Sequence, residues 1–183
     1  MSERAATERL TLTRPTDDDL AELHTISADP RVWRHFPSLR HTSLRTTSDM
    51  LVRWRDGWDA VGLGVWVARR HDEREIVGYG GCSDLGSIAW NLGYRIAPDA
   101  HGFGYATEIA QAGIAAAGSV DASKPVIAYL LEHNVASARV AEKLGLTLRH
   151  RGPDAGNPDA SAVRLVFADR ELTEHELVAA TAS

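Results

Sequence analysis

The stretch His101-Gly102-Phe103-Gly104-Tyr105-Ala106-Thr107-Glu108 sets two glycines at alternate positions where an alanine-rich, helix-forming run begins. A glycine in a regular element costs about 0.5–1 kcal/mol, so a pair of them needs a reason. One reason is a tight turn. The other is a ligand that comes close to the main chain. The first N–H groups of a helix have no intrahelical partner, and together with the helix dipole they form an anion site. On that reading Gly102 and Gly104 admit a diphosphate, Ala106 keeps the next turn small and Thr107 adds a hydroxyl donor. A pattern this short also fits a plain turn, so its context decides.

The context is Glu132-His133-Asn134-Val135-Ala136-Ser137-Ala138-Arg139-Val140-Ala141-Glu142-Lys143-Leu144-Gly145-Leu146, which follows the apolar run Val126–Leu131. The segments GYRIAPDAHGFGYATE and EHNVASARVAEKLGL together resemble the acetyl-CoA-binding core of the GCN5-related N-acetyltransferases (GNAT). The forms GYATE and N-x-x-S-x-R-V-x-E-K-L-G are most similar to the branch of ribosomal-protein N-terminal acetyltransferases. The resemblance implies acetyl-CoA as co-substrate, no metal, and an amine acceptor attacking the thioester directly. It places pantetheine contacts on the backbone of Tyr94 and Ile96, and the pyrophosphate loop on His101, Gly102, Phe103, Gly104, Tyr105 and Ala106. His101 stands where the family usually has arginine, glutamine or an aromatic residue. Asn134 and Ser137 fall beside the pantetheine and phosphates, and Lys143 within reach of a nucleotide phosphate.

Two departures concern the chemistry. Many relatives carry a tyrosine seven residues after the asparagine, where it protonates the leaving thiolate; here Ala141 holds that position. Relatives in this branch often have glutamate before the Gly-Tyr pair, and here Asn91 stands there. A thiolate whose parent thiol has a pKa of roughly 8.5 can leave without an enzymic acid. An ammonium group must still lose a proton. The candidates to take it are Asp84 in a turn, Glu132 at the end of the apolar strand and His133 beside it, with water held by Asn91, Ser83 or backbone carbonyls as the remaining route. The oxyanion needs only a backbone N–H of the strand Trp90–Ile96.

Around these residues the sequence predicts a strand at Arg9–Pro15 and a helix from Thr16 to about Ala28. A second helix is capped by Thr42 or Ser43 and stops near Gly57. Three strands follow as an antiparallel meander, Gly64–Arg69, Glu75–Cys82 and Ile88–Ile96, with a turn at Asp84-Leu85-Gly86-Ser87. A helix over Tyr105–Ala117 leads to Val126–Leu131, read as a buried parallel strand. A helix at Ala136–Leu144, strands at Thr147–Arg151 and Val163–Asp169, and a helix opened by the capping box Thr173–Glu176 complete the order. The fold class is α+β: a mixed, largely antiparallel sheet flanked by helices, with a central β-α-β unit, as in the acyl-CoA N-acyltransferase (GNAT) fold.

The 183 residues suit a single domain over 1–183. A net charge of −5 argues against a nucleic-acid surface, and the cluster Arg31, Arg34, Arg40 and Arg45 reads as a solvated face. The lone Cys82 fits a reducing cytoplasm, and no apolar run is long enough for a membrane span. A monomer or a homodimer is expected. Trp33, His35, Phe36, Trp54 and Trp58 suggest an aromatic wall on the acceptor side. Two other functions compete. A nucleotide-cofactor oxidoreductase would use Gly102-x-Gly104-x-x-Thr107 as its fingerprint and Glu132 as its ribose ligand, but that fold wants the fingerprint in its first β-α turn. A non-catalytic acyl-CoA-binding module would explain Ala141 and Asn91.

Overall fold

A computed structural model describes residues 3–182. Its sheet consists of β1 (Arg4–Ala6), β2 (Leu10–Thr13), β3 (Trp66–Arg70), β4 (Ile76–Leu85), β5 (Ala89–Ile96), β6 (Val126–Leu131), β7 (Thr147–Pro153) and β8 (Val163–Ala168). The spatial order is β1-β2-β3-β4-β5-β6-β8-β7, antiparallel throughout except for β5 against β6. The helices are α1 (Leu20–Ala28), α2 (Leu44–Val61), α3 (Tyr105–Asp121), α4 (Val135–Lys143) and α5 (Glu174–Thr181).

The period-2 alternation of the central strands feeds two cores. In β3, Val67 meets Leu23 of α1 and Leu51 of α2 on one face, whereas Trp66 and Ala68 join Ile109 and Ala110 of α3 on the other. A third cluster under α5 joins Ala180 to Ile127 and Val166. Strands covered on both sides read as continuous apolar runs, which is why Val126–Leu131 stood out.

Several elements depart from the sequence reading. The second helix runs through Gly57, because Trp58 packs at 5.8 Å against Trp66 and holds the helix together there. It ends at Gly62, whose φ of 71° is a left-handed cap that suits glycine. β4 extends through Asp84 and Leu85; the chain reverses afterwards at Gly86 and Ser87, both with positive φ. β1, at three residues too short to show in the pattern, exists by pairing with β2. α3 reaches Asp121, past the expected end at Ala117. The parallel pairing of β5 with β6 covers only Trp90 opposite Val126 and Asn91 opposite Ile127. β6 takes its longer ladder from β8, antiparallel.

α3 lies unusually close to the sheet. A Cβ on Gly113 would stand 3.0 Å from the Cα of Gly81 and 3.2 Å from the Cys82 nitrogen. Gly113→Val is therefore expected to destabilise the fold by about 1–3 kcal/mol, the usual cost of overpacking. A lowered urea midpoint with an unaltered slope would show it; an unchanged midpoint would mean that α3 can slide.

Candidate active site

Beyond Asn91 and Ile127, β5 and β6 diverge, and the sheet splits. A cavity of about 480 Å³ fills the space between the split and the starts of α3 and α4. A second cavity of about 140 Å³ adjoins it, the two sharing His35, Tyr94, Arg95, Asn134 and Ser137 as walls.

The first cavity has an anion cradle. Gly102 and Gly104 take φ of 84° and 82°, values that glycine adopts without penalty. None of the N–H groups from Gly102 to Thr107 donates to a backbone or side-chain acceptor among the described residues; the first bond of α3 is from Glu108 N to Gly104 O. The loop is held from outside: Arg9 Nη1 donates to the Phe103 carbonyl at 2.7 Å, and Arg9 pairs with Glu108 at 2.6 Å. Across the cavity α4 begins at Asn134, whose Oδ1 accepts from the Ser137 N–H at 3.2 Å. Two helix N-termini thus converge on one space, the arrangement that suits a bound phosphate chain.

Most of the expected carrier-binding residues line this cavity. Tyr94 and Ile96 come from β5; His101, Gly102, Gly104, Tyr105, Ala106 and Thr107 come from the loop and first turn of α3; Asn134 and Ser137 come from α4. Phe103 and Lys143 do not line it. Phe103 is exposed and stacks on Tyr105, and Lys143 is exposed at the far end of α4. His101 braces the loop, its Nε2–H donating to the Ile96 carbonyl at 3.0 Å. The Tyr94 carbonyl likewise accepts from Arg95 Nη1 at 2.9 Å.

Of the four residues expected near the proton transfer, Glu132, Asp84 and Asn91 lie elsewhere, and His133 bonds to the His35 carbonyl. Glu132 does not sit in the mouth of the split; β6 pairs with β8 there, and the Glu132 side chain reaches across to β7, where Arg151 Nε donates at 2.6 Å. That hydrogen bond holds its carboxyl below the usual range, opposite to what a base needs. Asp84 pairs with Lys124 at 2.7 Å and caps the Ser87 N–H at 2.9 Å. Asn91 faces Ser83 in the β4–β5 register. None of the three is among the residues lining either cavity. Glu132→Gln is therefore expected to change kcat/KM by less than about tenfold, because its ion pair with Arg151 is exposed, screened by water and outside both cavities. A larger loss would return Glu132 to the reaction.

The expected aromatic wall divides. Trp54 packs on Tyr79 at 4.9 Å and Trp58 is buried in the core, whereas His35 and Phe36 line the cleft. His35 stands in both cavity walls, its ring stacked on Trp33. Its backbone carbonyl accepts from His133 Nε2–H at 2.8 Å, a strap across the cleft between the α1–α2 connection and the β6–α4 turn. Burial, with Arg95 and His133 nearby, lowers its pKa from 6.5 to about 4. A base whose pKa falls on folding binds fewer protons in the native state, so its stabilising contribution is present above 6.5 and is lost as pH falls toward 4. We expect His35→Gln to flatten the fall of melting temperature across that window; parallel curves would mean that His35 is not desolvated.

Tyr94 was expected to act through its backbone alone. Its hydroxyl points to α4, within 3.5 Å of the Ser137 carbonyl, and burial raises its pKa so that it stays protonated. Ala141, where relatives carry tyrosine, is buried in the core. The second cavity also touches a buried pair: Arg164 Nε donates to Asp154. No spacing in the sequence marked the Tyr94 hydroxyl, Arg95 or this pair, because each depends on which strands the split leaves side by side.

Known proteins match this arrangement. The family described as the acetyltransferase (GNAT) domain matches residues 9–147. The crystal structure of an acetyltransferase from Agrobacterium tumefaciens str. C58 is similar at 25% identity and a TM-score of 0.75, covering 93% of this chain and 96% of that one. A GNAT-family acetyltransferase from Bacillus anthracis matches at 20% identity and a TM-score of 0.74, over 90% of this chain and 96% of that one. RimL, a ribosomal L7/L12 alpha-N-protein acetyltransferase solved in complex with coenzyme A, matches at 17% identity and 0.75, over 92% and 97%. A comparison with curated proteins finds no match.

Proposed function

Because the chain belongs to the GNAT acetyltransferase family, we propose that it transfers the acetyl group of acetyl-CoA to a primary amine by direct attack on the thioester. The observation that carries this reading is the cradle of unpartnered N–H groups from Gly102 to Thr107, set beside the split between β5 and β6. The cradle takes the phosphates. The open edge of β5 takes the pantetheine and presents N–H groups to the oxyanion. The amine enters from the second cavity.

The residues in both walls fit the remaining steps. The amine nitrogen bonds to the thioester carbon, and its proton becomes far more acidic as it does so. His35, neutral at pH 7 and with neither ring nitrogen hydrogen-bonded to a described residue, takes that proton. The C–S bond then breaks, and the protonated Tyr94 hydroxyl gives its proton to the leaving thiolate; solvent restores both groups.

The test is amine-dependent release of free thiol from acetyl-CoA across amino acids, peptides with free N-termini, polyamines and aminoglycosides. Turnover with at least one class supports the reading; binding of acetyl-CoA with no release to any amine leaves a non-catalytic binding module. Asn134→Ala and Ser137→Ala should raise the KM for acetyl-CoA more than they lower kcat, since the two side chains sit at the N-terminus of α4 that borders the carrier cavity and neither is assigned a proton to move. A loss confined to kcat would move them to the reacting centre. No helix among the described residues is long and apolar enough to cross a membrane, and we place the reaction in the cytoplasm.

A further inference from the structure

The cations with no ion-pair partner among the described residues fall into two kinds. Arg34, Arg40, Arg53, Arg74, Arg139 and Lys143 are exposed, where water solvates the charge. Arg95 is half-buried, in the wall shared by both cavities. A half-buried guanidinium without a carboxylate is costly unless a ligand completes it. Its Nη1 donates to the Tyr94 carbonyl, whereas its buried Nε has no hydrogen-bond partner. Nη2 likewise has no acceptor among the described residues, so a carboxylate that reaches it would form a charge-assisted hydrogen bond and complete the guanidinium. The Trp33 ring, 4.6 Å from the guanidinium carbon, fixes its plane.

Direction and charge narrow the ligand. Along β5, Ile96 and Leu92 face the α3 core, so Arg95 faces the opposite side, where Trp33 and Tyr79 lie. Arg95 borders the first cavity along with the cradle, and it also borders the second, which the cradle residues Gly102 to Thr107 do not line. Among the described residues lining the cavities, the one acid is Asp154, and it is already held by Arg164 and by Asn157 Nδ2 at 2.7 Å. No described acid in either cavity wall is free to answer Arg95.

We propose that Arg95 recognises a carboxylate on the acceptor, so that the amine substrate carries that group a few bonds from its amino nitrogen, as an amino acid or an acidic peptide N-terminus does. The inference rests on the amine-acetyltransferase reading above. Its test compares matched acceptors: free amino acids against their primary amides, and peptide amides with aspartate or glutamate against asparagine or glutamine at the second position. The first set detects an α-carboxylate and the second a side-chain carboxylate. In at least one set the acid should exceed its amide by about tenfold in kcat/KM. Arg95→Gln should erase the preference, Arg95→Lys should keep part of it, and the KM for acetyl-CoA should stay within about threefold. Equal rates for acid and amide throughout, or an Arg95→Gln effect confined to acetyl-CoA, would overturn the proposal. If no amine is turned over at all, calorimetry of N-acetyl amino acids and their amides on the protein with coenzyme A still decides. An Arg95-dependent preference for the acid upholds the inference while the catalytic reading falls, and equal or absent binding overturns it.

Discussion

Gly102→Asp is expected to weaken acetyl-CoA binding by well over tenfold, more than about 1.4 kcal/mol, with the fold intact. Nothing lies within 4 Å of a Cβ built at Gly102, so the side chain enters open space in the cavity wall. The φ of 84° costs a non-glycine residue roughly 1–2 kcal/mol, and aspartate is among the residues that tolerate it best. A carboxylate at this point meets the arc of N–H groups from Gly102 to Thr107 and repels the diphosphate they await. Gly102→Ala supplies the control, carrying the backbone strain without the charge, and should bind within a few-fold of the parent. Gly104 is a poorer site for the same test, because a Cβ there stands 3.5 Å from Arg9 Nη2, which would neutralise the new charge. Calorimetry with acetyl-CoA and a melting curve for each variant read the result. Equal affinity for the aspartate variant and the parent would remove the loop from the carrier site.

What could be read in advance follows from how local each signal is. The glycines at 102 and 104 announce a backbone conformation, and a backbone conformation is written in a few adjacent residues. Asn134 and Ser137 carry a local cap, with a bond from the Ser137 N–H to Asn134 Oδ1, so they too are visible as a short pattern. The strand Val126–Leu131 shows because its burial on both faces leaves an unbroken apolar run. Glu132 illustrates the limit. Its place at the end of that strand was legible, but its side chain answers to Arg151, a strand away in the sheet and nineteen residues on in the chain. The parallel pairing was legible as a type of connection, yet where it stops, after two register pairs, is a matter of tertiary geometry. His35 and Arg95 belong to the same class. Their chemistry depends on a cleft that exists only where distant elements meet, and no spacing within either segment records it.

Removal of the imidazole at position 35 is expected to lower kcat by about a hundredfold to ten-thousandfold, the range reached by positioned acid–base groups. The argument starts from the environment of the ring. Half-buried, stacked on Trp33 and close to Arg95, it titrates at about 4 and is neutral across the physiological range. So weak a base takes no proton from a free ammonium group to any useful extent. It is well matched to the nitrogen once that atom is bonded to the acetyl carbon and its proton has become strongly acidic. The pH profile should reflect this division. In the parent, kcat/KM should climb with the fraction of unprotonated amine, toward about 8 for an α-amino group or about 10 for a lysine-like one, without an inflection near 6.5. His35→Gln keeps similar bulk and should give the same shape at a much lower level, whereas a merely structural role would disturb acetyl-CoA binding and stability instead. His35→Ala with added imidazole separates the two further, since a small base in solution can occupy the vacated space and restore part of kcat. His133→Ala, which frees the His35 carbonyl from its 2.8 Å bond across the cleft, should lose part of kcat without shifting the profile. An unaltered kcat in His35→Gln, or an inflection near 6.5 in the parent that survives the substitution, would exclude His35 as the proton acceptor and leave that step to water.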